Sequence, residues 1–490
     1  MGRQDLYQPL KLISERISTV IETGNEISVV TCLDPDGIAS GSIALMTLSR
    51  MGARCVLRIV PSLNLEVIQE IKSEGRDFYM ILGLGSKMVD LLFRLFGENW
   101  VVIDHRELAE TSEDSTHRDY DSQIINAWKY GLDGEREISA GGLCYTLATM
   151  LDKRNQDLSA LAVIAALGDR QDSGEKRALV GMNHEILKKA QSLHLVEVEL
   201  DLLINAREMV PLHESLSLTS YPYIHGLTWN VQNAYSIIEN TGIKMKDNDA
   251  WRVLSDFTPE EKNIVRDAIA KYIITTTNTK SAEIADNLLG YNYRLSREDA
   301  RSILKDAREF GTLLEACGLL DKAGIGVALC IGDRSKALTE AEQLIENYSS
   351  TLKRSISAIF NDKWRYLDDG KHTVFVNGEG LISEGMLGTV STILSGSPSL
   401  FGRFLFIRTL NQEDRGNSYT FSARKCVGST SQLNVGDLIN ECSIGVGGNG
   451  GGNDNNAVCS IPSSKLDIFM SNARSVIANS KVAESSTKTS

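Results

Sequence analysis

Apolar positions in the first third of the chain fall into two kinds of run. Residues 5–23 carry Leu6, Leu10, Leu12, Ile13, Ile17 and Ile21 at helical spacing, which predicts a leading amphipathic helix. Short apolar runs follow at Ile27–Leu33, Arg54–Val60, Asp77–Leu82 and Trp100–Ile103, with helical stretches between the first three. That alternation predicts βαβ units and a parallel sheet, whose strands are buried on both faces. Helices are expected at Ala140–Leu151 and Leu158–Leu167, the second running into Gly168-Asp169-Arg170-Gln171-Asp172.

From about 197 to 300 strand alternation gives way to helical patterns. Thr258-Pro259-Glu260-Glu261 reads as a capping box with proline at the first helical position. Residues 300–360 read as helix, turn and helix, and strands return at Thr373–Val376, Phe404–Thr409 and Tyr419–Ala423. Gly445–Asn453 reads as a glycine-rich loop and the last dozen residues as a disordered tail. No repeat of solenoid type is present.

The 490 residues suffice for two or three domains, and 42% hydrophobic with 23% charged content suits an ordinary globular protein. A net charge of −13 argues against a basic coat for duplex DNA and leaves room only for a local basic groove. Eight cysteines without a C-x-x-C pair suit reduced thiols, which together with the lack of a signal-like N-terminus gives a cytoplasmic expectation. No apolar run approaches the roughly 18 residues of a membrane span, so no membrane partner is expected.

The candidate chemistry sits in two strings, Leu33-Asp34-Pro35-Asp36-Gly37 and Asp104-His105-Arg106, each directly after an apolar run. Acidic groups at the ends of parallel strands converge on one crevice. Carboxylates with a histidine suit a divalent metal, and paired metals suit phosphodiester hydrolysis. Taken alone, Asp-Pro-Asp-Gly is also a good turn, and Arg424 an ordinary surface arginine.

Both strings resemble motifs of the DHH phosphoesterase superfamily, His-x-Asp-x-Asp-Gly and Asp-His-His. Ala166–Asp172 (ALGDRQD) resembles that family's fourth motif, and Asp306–Asp333 resembles the connecting helices of archaeal RecJ-type nucleases. Ser422–Cys426 and Gly450–Pro462 resemble the DHH-associated C-terminal domain with its Gly-Gly-His signature. The chain is similar to archaeal RecJ homologues of the GINS-associated type and to the eukaryotic cell-division-cycle helicase cofactor. The resemblance implies an α/β fold: an N-terminal parallel-sheet DHH domain over 1–196, a helical insertion over 197–300, connecting helices over 301–360, and a smaller α/β DHH-associated domain over 361–478 across a cleft, with a tail over 479–490.

Carried over residue by residue, the resemblance gives Asp34, Asp36 and His105 vestigial catalytic roles and makes them, with Asp172, the metal positions; Asp104 also matches the motif. Arg424, Gly451, Gly452 and Asn453 match positions that hold nucleic acid. Six positions depart from the pattern. Cys32 and Arg106 replace histidines, Gly83 replaces a metal-bridging aspartate, and Glu315 and Leu319 replace an Asn and an Arg that face nucleic acid; Asn453 itself replaces the histidine of Gly-Gly-His. A glycine cannot bridge metals, and Arg106 adds a permanent charge that opposes a second ion and can pair with Asp34 or Asp36 instead. The expected cofactor is therefore none, or weakly bound Mn²⁺ or Mg²⁺. The implied function is a RecJ-derived replication factor, nuclease-inactive or nearly so, with GINS and MCM as partners and single-stranded DNA or RNA as a further ligand. The competing expectation is a Mn²⁺-dependent single-strand exonuclease with a reduced metal site.

Overall fold

The computed structural model describes residues 3–107, 122–277, 287–411, 414 and 416–487. In chain order the elements are α1 (Tyr7–Glu22), β1 (Glu26–Cys32), α2 (Pro35–Arg50), β2 (Arg54–Val60), α3 (Leu65–Ser73), β3 (Phe78–Leu82), α4 (Val89–Phe96), β4 (Trp100–Asp104), β5 (Ile124–Asn126), α5 (Ala140–Leu151), α6 (Ser159–Gly168), α7 (Gly181–Ser192) and β6 (Val196–Leu202). Next come α8 (Leu212–Leu218), α9 (Val231–Glu239), β7 (Lys246–Asp247), β8 (Ala250–Trp251), α10 (Pro259–Thr277) and β9 (Leu289–Leu295). The chain continues through α11 (Ala307–Leu319), α12 (Ala323–Cys330), α13 (Lys336–Asn361), β10 (Tyr366–Asp368), β11 (Thr373–Asn377), α14 (Glu384–Ser395), β12 (Phe404–Leu410), β13 (Ser418–Lys425), α15 (Val435–Ile444), β14 (Asn449–Gly452), β15 (Asn456–Pro462) and α16 (Leu466–Thr487). These elements form two compact units, Met1–Leu203 with Leu289–Tyr348, and Ile204–Leu288 with Ser349–Ser490. Among the described residues no helix is long and apolar enough to cross a membrane.

The first unit holds the expected parallel sheet, in the order β2-β1-β3-β4-β5. Its strands are apolar throughout because both faces are covered. On β1, Ile27 and Val29 enter the core with α1, α2, α5 and α6, while Val30 and Cys32 enter the core with α3 and α4. Strand order reverses at β1, the switch point where open α/β sheets place ligands beyond the strand ends. Asp34 caps α2 there, accepting from Gly37 N at 2.7 Å, with Pro35 in the first turn.

Residues 197–300 are not wholly helical as expected. They open and nearly close on β6 and β9, which pair antiparallel from Val196↔Leu295 to Leu202↔Leu289 within the first unit. The signal is in the sequence: Val196, Val198, Leu200, Leu202 and Leu289, Tyr291, Tyr293, Leu295 recur with the strand period of two.

In the second unit α10 begins at the expected capping box: Thr258 N donates to Glu261 Oε2 at 2.9 Å, and Glu261 N donates to Thr258 Oγ1 at 3.3 Å. Its large sheet runs β10-β11-β12-β13-β15-β14, with only β11 and β12 parallel. Phe375, Phe406, Phe421 and Phe469 fill the core between this sheet and α15 and α16. Two expectations change. Gly445–Asn453 is not an open loop, because Asn449–Gly452 forms the edge strand β14 on β15. The expected disordered tail is helical through Thr487, as the end of α16; residues 488–490 lie outside the described residues.

Helix α11 meets the first motif backbone to backbone. A Cβ at Gly318 would lie 1.9 Å from the carbonyl oxygen of Leu33. Gly318→Ala is therefore expected to cost about 1–3 kcal/mol or more, since this backbone cannot yield cheaply. Gly324→Ala, where a Cβ would meet nothing within 4 Å, is expected to be neutral or slightly stabilising in its helix. Urea unfolding followed by circular dichroism checks this, and equal effects of the two changes would refute the close packing.

Candidate metal centre

Asp34 and Asp36 follow β1, Asp104 ends β4 with His105 next to it, and Asp169 directly follows α6, so five side chains arrive at the ends of three elements. His105 Nε2 lies 3.1 Å from Asp169 Oδ2, and its Nδ1 lies 3.6 Å from Asp36 Oδ2. One ligand atom from each of Asp36, His105 and Asp169 falls within 4.8 Å of the others. Asp36 is oriented by the N-terminus of α5, accepting from Ala140 N at 3.0 Å and Gly141 N at 2.8 Å. Asp169 accepts from Gln171 Nε2 at 2.8 Å. The loop after β4 is pinned through its carbonyls: Trp128 Nε1 donates to His105 O and Asn126 Nδ2 to Arg106 O, each at 2.9 Å.

Residues 204–288 match the DHH-CID domain family. The uncharacterized protein MJ0831 of Methanocaldococcus jannaschii is 24% identical over 482 residues, covering 97% of this chain and 98% of its own. RecJ of Thermus thermophilus, solved in complex with Mn²⁺, is similar with a TM-score of 0.58 at 14% identity, covering 96% of this chain and 55% of that one; this chain thus spans about half the length of that RecJ. The CDC45 structure from Entamoeba histolytica gives a TM-score of 0.55 at 14% identity, covering 97% of this chain and 98% of that one. The chain has a RecJ-like fold.

In this RecJ-like chain the expected ligand set is changed in two places. Asp172 does not join the cluster. Its buried carboxylate is taken up by Arg177 Nε at 3.0 Å and Arg308 Nε at 2.8 Å. Asp169, three residues earlier, stands in the cluster instead. Its signal was available: within Ala166–Asp172 it is the acid that directly follows the helix. Asp34 also stands apart, accepting from Arg106 Nη2 at 2.8 Å and from the Cys32 thiol at 3.1 Å. The expected charge-assisted pair is thus formed, with Asp34 rather than Asp36. Asp104 clamps its own loop, accepting from His105 N at 2.9 Å, Arg106 N at 3.1 Å and Ser86 N at 3.3 Å.

The other expected positions are distributed as follows. Gly83, at φ +67°, follows β3 and faces Ala140 and Cys32. Glu315 on α11 lies 4.0 Å from Arg170 Nη2, and Leu319 ends the same helix. In the second unit Arg424 on β13 pairs in register with Asn456, and its Nη2 lies 3.4 Å from Gly388 O. Gly451 and Gly452 lie on β14. Asn453 turns the hairpin: its N–H donates to Asn456 O, and its side chain accepts from Asn455 N and Asn456 N. That amide is spent within the turn.

Electrostatics bind the cluster together. Burial alone would lower the His105 pKa, but the charge and hydrogen bond of Asp169, then Asp36, raise it to about 10. Burial first, with repulsion from Asp169 and Asp34, pushes Asp36 up to about 6 against the pull of His105. Burial also opposes ionisation of Asp169, but His105 and Arg106 outweigh it and hold that carboxyl below its usual range. Burial drives the Cys32 thiol well above its ordinary value, so it is a neutral donor to Asp34.

The donor set fits one hard divalent ion. Two carboxylates and an imidazole converge, and His105 Nδ1 is a buried polar atom with no hydrogen-bond partner among the described residues. It does not fit a bridged pair, because Gly83 offers no anion and Arg106 already holds Asp34. An ion held by Asp36, His105 and Asp169 would polarise a phosphoryl oxygen or a bound water.

Two outcomes are expected. Mn²⁺ titration by calorimetry should show at most one weak site, since the ion must displace a proton from His105, and one proton should be released per ion, read from buffers of different ionisation heat. The second concerns stability. A histidine raised in the fold stabilises fully below its unfolded value near ~6.5 and loses that contribution as pH rises through the folded value. For His105 the loss spans from there to about 10, at a slope approaching 1.4 kcal/mol per pH unit. Urea midpoints of the parent should fall over that window relative to His105→Gln; parallel curves would mean the imidazole is neutral.

Proposed function

We propose that this chain is a RecJ-derived DNA replication factor of the archaeal, cytoplasmic type with little or no nuclease activity. It binds GINS, reaches the MCM helicase through it, and holds single-stranded nucleic acid. The observation that carries the loss of catalysis is the Arg106–Asp34 pair at 2.8 Å: a fixed side-chain cation occupies a carboxylate that a second metal would require. Similarity along nearly the whole chain to a CDC45 structure supports the replication reading. The GINS and MCM partners follow from the motif resemblance.

A second reading is favoured by the Asp36–His105–Asp169 cluster and by the likeness to a Mn²⁺-bound RecJ: a single-strand exonuclease working with one ion. A Mn²⁺-titrated assay on end-labelled single strands separates the two. The parent is expected to be nearly inert, and Arg106→His alone should not suffice. Cys32→His, Gly83→Asp and Arg106→His combined should gain measurable activity, because only together do they restore ligands and a bridging anion. Metal-dependent turnover by the parent that Asp36→Ala abolishes would hand the site to the second reading. Co-elution with purified GINS on size exclusion tests the partner directly.

A further inference from the structure

We propose a separate contact surface for single-stranded nucleic acid in the second unit, centred on Trp364 and built from residues 349–372 rather than from Arg424 and the β14 hairpin. It rests on the reading above in one respect, that the chain takes single strands as a ligand.

Trp364 follows α13 and is 60% exposed, whereas Trp100 of the same chain is fully buried. The Arg365 guanidinium lies 4.3 Å from the Trp364 ring centroid. That guanidinium is itself fixed, donating to the carbonyls of Asn377 at 3.2 Å and Glu379 at 2.8 Å and to Asp362 at 3.2 Å. The ring therefore rests on an anchored cation and has no other ring contact among the described residues. An aromatic ring held in this way loses little further freedom when a second planar group stacks on it.

Charge sets the ligand. Each carboxylate of the segment is already answered: Asp362 by Arg365, Asp368 by Arg403, and Asp369 by the backbone N–H groups of Lys371, His372 and Thr373. Lys353, Arg354, Lys363 and Lys371 make no ion pair among the described residues. A chain of net charge −13 thus concentrates four unanswered cations and the more exposed of its two exposed tryptophans among the described residues within 24 residues. Phosphates match the cations and bases match the ring, which is the usual composition of a sequence-tolerant single-strand surface. A protein hot spot would set the ring among desolvated apolar neighbours; here its chain neighbours are Lys363 and Arg365.

The test is a polarisation titration of the full chain with fluorescein-labelled dT20 at low salt, with EDTA present. Trp364→Ala is expected to weaken binding about tenfold and Trp364→Phe to restore most of it, since stacking on any aromatic face suffices. Changing Lys353, Arg354 and Lys363 together to Gln should flatten the salt slope by about 2, at roughly 0.7 per phosphate contact. If Trp364→Ala binds like the parent while Arg424→Ala abolishes binding, this inference fails and the functional reading stands. If the parent binds no single strand, both fail. If Trp364→Ala still binds dT20 but loses affinity for poly-glutamate, the surface belongs to an acidic protein partner and the inference is overturned.

Discussion

The constraint on which the first unit depends is the neutralisation of carboxylates taken out of water at the ends of β1, β4 and α6. An ionised carboxylate in a low-dielectric interior is costly unless it is paired or fully hydrogen-bonded. Asp36, Asp104 and Asp172 are buried, and Asp169 is largely so. Each has its own answer. Asp36 takes two amides at the start of α5, Asp104 takes three amides near its own loop, Asp169 takes His105 and Gln171, and Asp172 takes two arginines. These bonds tie α5 and α6 to the ends of β1 and β4, and α11 to the segment after α6, so the packing of the helices and the charge balance of the crevice are one problem.

Arg106 solves the remaining part. A guanidinium is permanently charged, monovalent and attached to the chain, so it offsets Asp34 without recruiting anything from solution. Cys32 complements it as a neutral donor to the same carboxylate. Because Arg106 is partly exposed, the strength of this pair is moderated by solvent. Its importance lies in occupancy: it fills the coordination room beside Asp34 with a group that cannot polarise a phosphate as a metal does.

Most of this was legible in the sequence. The four apolar runs located the sheet, since buried parallel strands have a composition of their own, and the two acidic strings fell at strand ends where the switch point places ligands. Two things were less legible. Asp169 and Asp172 lie three residues apart in one motif, and the choice between them is made by Arg308, which is 136 residues away from Asp172 and comes close only in the fold. The β6–β9 ribbon is harder to read because polar residues between its apolar positions, Glu197, Glu199 and Asp201 on β6, resemble a helical surface until the period is counted. The β14 hairpin was hidden for a different reason: glycine carries no side-chain period at all, so its pairing to β15 is decided by the partner strand.

The backbone at positions 83 and 106 constrains the crevice independently of the side chains it carries. Gly83 sits at φ +67°, a left-handed conformation that aspartate tolerates better than most residues. A Cβ there would stand 3.4 Å from the Ala140 Cβ and 3.5 Å from the Cys32 sulfur, close to ordinary contact. A side chain at 83 would thus meet no severe overlap at its first carbon, though it would have to adopt the left-handed backbone. At position 106, Asn126 and Asp104 fix the peptide whatever side chain it carries. The residues present are mutually consistent: a carboxylate placed at 83 alone would add an anion near Cys32 and Ala140, and a histidine at 106 alone would leave Asp34 with the thiol but no guanidinium. Each single change is worse balanced than the present set, because it either adds an anion or removes the guanidinium that Asp34 is paired with.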